Sequence, residues 1–599
     1  MCSLDEALIN VGEIEDDAEI DRTVQQDPTS SEVFDQLKFW LSVCASRHEK
    51  CNKYLGSITS LPTRVLKIGA LESDIVYLEQ HDNSSHLSEP YAALSHCWGT
   101  GQPFITTSET IEERQQGIHV NQLPQTYQDA ITVARAIGLQ YIWIDSLCII
   151  QNDLLDWQHE AAKMASVYRN ANIVIGAANA SADSEGFLHR RTTEMASFGE
   201  KIHVSLLPPK AQRLSDESEP VKEEPLSARA WTLQERYLPH RMISYGKNHV
   251  FWECSEMIAS EDGDCVSRES DRLGLVTKTA AVGTSIFGIS GRSPGDVKDT
   301  NYFDWYETVK GYVERHITKP GDRLPALSGL AKAVGEVTGD EYLAGVWKKG
   351  LIEGLLWRRV QEDQYLTKPE YRAPSWSWAS VDGLISFTVY SFYDRSLWKA
   401  KMANFEPTVT FVDSFLQPLG VDLYGGIKSG WIRLKAPLYP ITSIKNWDNV
   451  SYCPPGVMMD PLRSPACDKV FEAEIQHRGK TKRLWLDGGF DTSETLSGDG
   501  KLFALFLARL PDPGSSSGYY LDFRFGLILE SLGSRDEFRR VGIIDGSVKI
   551  HKSNLMAKLQ RKLYLEPILF TAQEGDECMP NLLGPDPYEG LEQSTVTIF

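Results

Sequence analysis

One stretch constrains this chain more than any other. Tyr141 to Gln151 (YIWIDSLCIIQ) is a nearly unbroken apolar run with a single acid, Asp145, at its middle. An amphipathic helical pattern precedes it and the polar pair Asn152-Asp153 comes after it. A run bounded in this way fits a strand buried on both faces, as in a parallel sheet covered by helices. A carboxylate near the carboxyl end of such a strand lies where open α/β sheets bind ligands.

The flanking segments supply the rest of that sheet. Tyr91 to Trp98 (YAALSHCW) is apolar as far as Leu94 and then turns polar, which predicts a first parallel strand. Its end, Ser95-His96-Cys97-Trp98-Gly99, falls at the carboxyl edge. After Leu123-Pro124, an apolar stripe of Tyr127, Ala130, Ile131, Ala134 and Ile137 predicts a helix closed by Gly138. A second helix is expected from Asp156, burying Ala161, Met164, Ala165 and Tyr168, and a third strand over Asn172 to Ala178. Strand, helix, strand, helix, strand implies parallel pairing with right-handed crossovers. Thr63 to Ile68 and Ile75 to Glu79 resemble a hairpin ahead of it. Ala228 to Tyr237 (ARAWTLQERY) reads as a helix stopped by Pro239, with short strands at Arg241 to Tyr245 and Val250 to Cys254.

A length of 599 residues exceeds what one core holds. Four regions are expected: an N-terminal tail and helix over 1–59, the α/β domain over 60–260, a helical region with the PSWSWAS segment over 261–385, and a mainly β domain over 386–599. Within the third, Tyr302 to His316, Arg323 to Val337 and Glu341 to Arg358 read as helices, and Pro374 to Ser380 as an extended piece with both tryptophans on one face. In the fourth, strands are expected at Gly430 to Leu434, Lys482 to Leu486, Leu502 to Leu507 and Phe525 to Leu529. Residues 1 to about 30 and the charged Ser215 to Pro225 are expected to be mobile.

A net charge of −21 argues against nucleic acid or an anionic membrane surface as the main partner, since both select basic patches. No apolar run approaches the roughly 20 residues of a membrane helix. The start of the chain lacks the basic and apolar regions of a secretion signal. Ten cysteines scattered over this length do not form a disulfide framework, so a reduced cytoplasmic setting is expected.

Ser31 to Tyr54 reads as a helix carrying Cys44, His48 and Cys51 at i, i+4 and i+7. These share one face and would hold zinc if a fourth ligand came from elsewhere; the plainer alternative is a buried Cys pair beside a histidine. Cys97 and Cys148 with His96 or His159 raise a Cys-His nucleophile, which is set aside because strand cysteines are normally buried and inert.

YAALSHCWG, LPQTYQDAITVARAIGLQYIWIDSLCIIQND, RAWTLQERYLPHRMISYG and VFWEC resemble, in order and spacing, the HET (heterokaryon incompatibility) domain of filamentous fungi. GDRLPALSGLA and PSWSWAS resemble segments often found downstream of that domain in the family. His96 stands where the family often has Tyr. The resemblance implies a TIR-like fold, that is, a flavodoxin-like parallel sheet with helices on both sides. It also implies non-self recognition ending in growth arrest or cell death, with protein partners in that signalling.

Some TIR domains cleave NAD through a glutamate in a W-C-x-x-E pattern. Here Trp231-Thr232-Leu233-Gln234-Glu235 has Trp and Glu at that spacing without the Cys. By this similarity Glu235 is the catalytic carboxylate, NAD is the substrate and no further cofactor is required. Ser95, Gly99 and Asp145 would then form the docking edge, with Trp98 and Trp231 as ring platforms and Arg229 meeting a phosphate. No G-x-G-x-x-G or P-loop is present to cradle phosphates.

Each residue also has a plain structural use. Glu235 would pair with Arg229 or Arg236 on a helix surface, Asp145 would cap a turn, and Trp98 and Trp231 would be core. Two mechanisms therefore stand side by side: NAD cleavage through Glu235, and a non-enzymatic module that signals by self-association. A metabolic enzyme using the same crevice is a third.

Overall fold

The structure is a computed structural model. It describes residues 24–55, 61–69, 73–81, 89–101, 103–191, 194–198, 202–206, 220–267, 302–359, 370–387, 405–447, 470–477, 480–487, 501–512, 519–552 and 593–599. The expected tail before residue 24, and 215–219 of the charged loop, lie outside them. The chain divides into two compact units. The first comprises Met1–Thr300, Arg315–Gly339 and Gly420–Gly425; the second comprises Asn301–Glu314, Asp340–Leu419 and Gly426–Phe599.

The first unit opens with α1 (Ser31–Arg47), capped by the Ser30 side chain on the Val33 amide, and α2 (Glu49–Leu55). Next come β1 (Arg64–Lys67), β2 (Ile75–Gln80) and β3 (Tyr91–Ser95). They are followed by α3 (Ile111–Gln116), β4 (Ile118–His119) and α4 (Gln125–Ala136). Then come β5 (Tyr141–Trp143), α5 (Asp145–Cys148), α6 (Leu154–Asn170) and β6 (Ile173–Gly176). A separate hairpin, β7 (Glu194–Phe198) with β8 (Ile202–Leu206), precedes α7 (Thr232–Tyr237). Four strands finish the series: β9 (Arg241–Tyr245), β10 (Val250–Cys254), β11 (Met257–Ser260) and β12 (Cys265–Ser267).

Ten of these strands form one mixed sheet in the order β12-β11-β10-β9-β6-β3-β5-β1-β2-β4. Its centre, β9-β6-β3-β5, is parallel, and the flanks pair antiparallel. The parallel strands are short and buried along their whole length, as expected where both faces are covered. The expected hairpin forms ahead of β3, and its strand β1 joins the sheet beside β5. Helix α6 starts where Asp153 accepts from the amides of Leu155 and Asp156, a cap worth about 1 kcal/mol. Arg64, on β1, pins α6 to the sheet by donating to both Asp156 oxygens and to the Cys148 carbonyl.

The pivot segment departs from expectation. The strand ends at Trp143, and Asp145 opens the short helix α5 instead of sitting inside a longer strand. Asp145 Oδ1 accepts from the Ser146 amide at 2.7 Å and Gln151 Nε2 reaches the Asp145 carbonyl at 3.1 Å. These local polar bonds offer the backbone an alternative to the ladder.

The second unit is mainly β. Two short pairs come first: β13 (Tyr342–Leu343) with β14 (Val346–Trp347), and β15 (Trp357–Arg359) with β16 (Ile385–Phe387). The large sheet is built from β17 (Glu406–Pro407), β18 (Thr410–Pro418), β19 (Ile427–Ala436), β20 (Leu438–Trp447), β21 (Val470–His477), β22 (Lys480–Asp487), β23 (Leu502–Asp512), β24 (Tyr519–Ser531), β25 (Glu537–Lys552) and β26 (Ser594–Ile598). Their order is β18-β19-β26-β25-β24-β23-β20-β21-β22, with β17 on β23.

Glu341 to Arg358 is not one helix. Ala344 and Gly345 both have positive φ, 49° and 100°, the signature of a two-residue hairpin turn that reverses the chain. Only Leu351–Leu355 is helical within that span. The PSWSWAS segment is likewise a turn ending in a 3-10 helix at Trp378–Ser380 rather than an extended piece, because the Ser377 side chain caps the Ala379 amide. Trp376 and Trp378 are both fully buried, as are Trp305, Trp347 and Trp357. Among the described residues no helix is long and apolar enough to cross a membrane.

Candidate functional site at the carboxyl ends of the parallel strands

Ser95 is the last residue of β3, the strand flanked by β5 and β6. Its Oγ donates to Glu235 Oε2 at 2.5 Å. Glu235 lies on α7 and is 4% exposed, so its side chain faces the strand ends and not solvent. Burial raises its carboxyl pKa; the Arg229 cation opposes this, the Asp145 charge adds to it, and hydrogen bonds from Ser95 and Tyr168 oppose it. The net result is a pKa of about 7. Tyr168, from α6, is also 3.0 Å from the Leu94 carbonyl, so its single hydroxyl proton serves one of the two acceptors at a time. A carboxyl with such a pKa is half protonated near neutrality and can serve as either acid or base.

Segments of the first unit that come after β12 in the chain hold α7 in place. Ala230 N–H donates to the His316 carbonyl at 2.9 Å. Gly329, on the helix Pro325–Thr338, donates its amide to Gln234 Oε1 at 3.3 Å. A Cβ at Gly329 would lie 2.6 Å from Ala165 Cβ and 2.8 Å from Gln234 Oε1, so this close approach requires glycine.

Around the Ser95–Glu235 pair lies a second polar group. His96 is buried and its imidazole pKa falls to about 4, driven by desolvation against the opposing Asp145 charge, with Arg229 lowering it further. His96 Nε2 meets Tyr127 Oη at 3.2 Å, and Tyr127 Oη meets Ser146 Oγ at 2.8 Å. His96 Nδ1 is 3.8 Å from Asp145 Oδ1. Trp98 Nε1 donates to Asp145 Oδ2 at 2.9 Å, so Asp145 aims the Trp98 indole. Trp98, Asp145 and Arg229 are half-buried, unlike the deeper Ser95, His96 and Glu235. Gly99 turns the chain at φ +79°, where a Cβ would sit 2.5 Å from Ala182 Cβ.

The helix expected from Ala228 starts only at Thr232, so Arg229 and Trp231 lie ahead of it. Arg229 Nη1 donates to the His96 carbonyl. Trp231 turns its Nε1 to Asp322 Oδ2 at 3.3 Å. Arg236 pairs with Glu253, leaving Glu235 to Ser95. Tyr168, Tyr127 and Ser146 join the site with no motif to mark them there; Tyr168 and Tyr127 fit the buried faces of their helices, and their hydroxyls are the overlooked signal. Burial raises the thiol pKa of Cys148 to about 12 and also raises that of Cys97, which fits inert cysteines.

The single helix expected over Ser31 to Tyr54 breaks at His48, which is extended and separates α1 from α2. Cys44, His48 and Cys51 still converge across that break, and Cys254 joins them: the four ligand atoms all lie within 4.8 Å of one another.

The first unit is thus an α/β sheet with a buried acid at the carboxyl ends of its parallel strands. Residues 91–235 match the sequence model of the heterokaryon incompatibility protein (HET) family. The chain carries a HET domain. That segment begins with the first residue of β3 and ends at Glu235. No curated protein and no solved structure matches the chain.

Proposed function

We propose that this protein acts in heterokaryon incompatibility by cleaving NAD at Glu235. The HET domain supports the incompatibility role. The observation that carries the chemistry is the bond between Ser95 at the tip of β3 and the buried Glu235, whose pKa burial raises to about 7. The parallel strands run β5-β3-β6-β9, which is second-first-third-fourth in chain order. That order supports a flavodoxin-like, TIR-like reading of the sheet, in which the ligand crevice would lie at the strand tips beside the first strand.

In this reading the C1′–N bond of the nicotinamide riboside breaks and its electron pair leaves with neutral nicotinamide. The ionised Glu235 stabilises the oxocarbenium-like ribosyl. Water adds to C1′ and gives up a proton, yielding ADP-ribose. Trp98, aimed by Asp145, offers a ring face, and Arg229 offers the cation for pyrophosphate. The test is made in cells. Expression of the wild type lowers the NAD pool and arrests growth, and Glu235→Gln at equal abundance does neither. Growth arrest that survives Glu235→Gln with an undiminished NAD pool refutes the enzymatic reading.

The same burial favours a second reading. A carboxyl only 4% exposed and satisfied by Ser95 and Tyr168 suits a structural tie within a self-associating signalling module. In that case sedimentation detects oligomers, and both oligomers and phenotype persist in Glu235→Gln.

A further inference from the structure

We propose that Cys44, His48, Cys51 and Cys254 bind a structural zinc ion that fastens the N-terminal helices to the sheet. None of the four lies within residues 91–235, so the site is independent of the HET match. Three sulfurs and one imidazole nitrogen are a Cys3His set, which structural zinc takes in tetrahedral geometry and closes without a water. Bond lengths of about 2.3 Å to sulfur and 2.0–2.1 Å to nitrogen put ligand atoms roughly 3.5–3.8 Å apart in a tetrahedron. Here all four lie within 4.8 Å, and His48 Nδ1 is 3.3 Å from Cys254 Sγ. Small side-chain rotations close the difference.

The surroundings suit a thiolate centre. Cys44 and Cys51 are wholly buried and Cys254 nearly so, while His48 closes the outer side. Arg241 lies across the ladder from Cys254, and its Nε donates to Cys44 Sγ at 3.2 Å. A cationic N–H on a coordinating sulfur offsets the net negative charge of a zinc with three thiolates and orients its ligand. Glu253 is engaged by Arg236 and stays outside the set. Soft sulfur ligands favour zinc over magnesium or calcium.

Position gives the ion its role. Cys44 is in the last turn of α1, His48 caps that helix, Cys51 is in α2, and Cys254 ends β10. The helices also meet the sheet side by packing: Val33, Leu37 and Trp40 of α1 are buried, Trp40 meets Trp252 with ring centroids 6.2 Å apart, and the Lys50 amide donates to Glu256 Oε1 at 2.6 Å. A ligand set drawn from two helices and a distant strand contributes binding energy to folding directly.

The full chain, purified under reducing conditions without chelator, should contain about one zinc by elemental analysis. Cys254→Ser and Cys44→Ser should each lose at least about nine-tenths of it, and Cys265→Ser should keep it. Cobalt added to the reduced, metal-stripped wild type should give thiolate-to-metal charge transfer and the strong visible bands of a tetrahedral site, a readout that does not depend on the variants folding. Chelation should expose residues 31–55 to protease and zinc should restore protection. Wild type with neither zinc nor a tetrahedral cobalt spectrum overturns the site. Zinc removal that leaves 31–55 equally protected overturns the fastening role.

Discussion

Ser95 Oγ and Glu235 Oε2 lie 2.5 Å apart inside the first unit, with the serine at the end of a parallel strand and the acid on the helix that closes over it. The serine can donate whether the acid is ionised or not. Burial nevertheless disfavours the ionised form and raises the pKa from 4.5 to about 7.

Stability should therefore vary with pH. Between pH 4.5 and about 7 the folded state keeps the Glu235 proton while the unfolded chain releases it. This group's contribution is fully present below pH 4.5, declines through that window, and is level above about pH 7. The loss is on the order of 3 kcal/mol at 1.36 kcal/mol per pKa unit. Glu235→Gln keeps an acceptor for Ser95 without the charge. In urea titrations it should match wild type near pH 4.5 and exceed it at pH 8 by about 1–3 kcal/mol. Equal stability at both pH values would show that the carboxyl is not desolvated.

Asp145 acts on that acid from a distance, since its charge is one cause of the raised pKa. Asp145→Asn removes the charge and keeps an oxygen for Trp98 Nε1. The Glu235 pKa, followed by carbon-detected NMR of labelled glutamate, should fall by several tenths to about 1. An unchanged value would separate the two sites electrostatically.

Arg64 tests the tie between β1 and α6. Its side chain is 4% exposed and donates to Asp156 and to the Cys148 carbonyl. Arg64→Ala strands a poorly solvated carboxylate, and denaturant titration should show about 3–5 kcal/mol of destabilisation. A cost under about 1 kcal/mol, typical of an exposed pair, would contradict the described burial.

In the second unit, Trp378 packs at φ-positive Gly345 and donates to its carbonyl at 3.0 Å. Trp378→Ala should cost about 3–5 kcal/mol, and Gly345→Ala should also destabilise, because a Cβ there would lie 2.5 Å from Trp378 Nε1. Thermal melts of both variants at one scan rate check this.

The parallel core was legible because its strands and helices are periodic within single segments; α4 and β6 need no distant information to be read. Ser95 and Asp145 were nameable because chemistry gathers at strand ends in such sheets; Glu235, on a helix, was named by its similarity to the TIR glutamate. The placement of β1 against β5 was not legible, since nothing local distinguishes it from a strand that continues to β3. Ala344-Gly345 hid a hairpin because the apolar spacing around it mimics a helix, and the turn needs positive φ at an alanine. Cys254 was invisible as a partner of Cys44, His48 and Cys51 because only the sheet brings β10 beside α1.

If the acid beneath the tip of β3 does chemistry on NAD, the purified protein must release nicotinamide. Purified full-length protein, concentrated to favour self-association, is incubated with NAD, and nicotinamide is quantified over time at about pH 7.5, just above the Glu235 pKa, so that the carboxylate form prevails. The wild type should release nicotinamide steadily, and Glu235→Gln should lose at least a hundredfold, a factor of the size general acid–base groups supply, about 10²–10⁴. Equal release by both proteins, or none by folded wild type across the pH range around 7, would contradict NAD cleavage at Glu235.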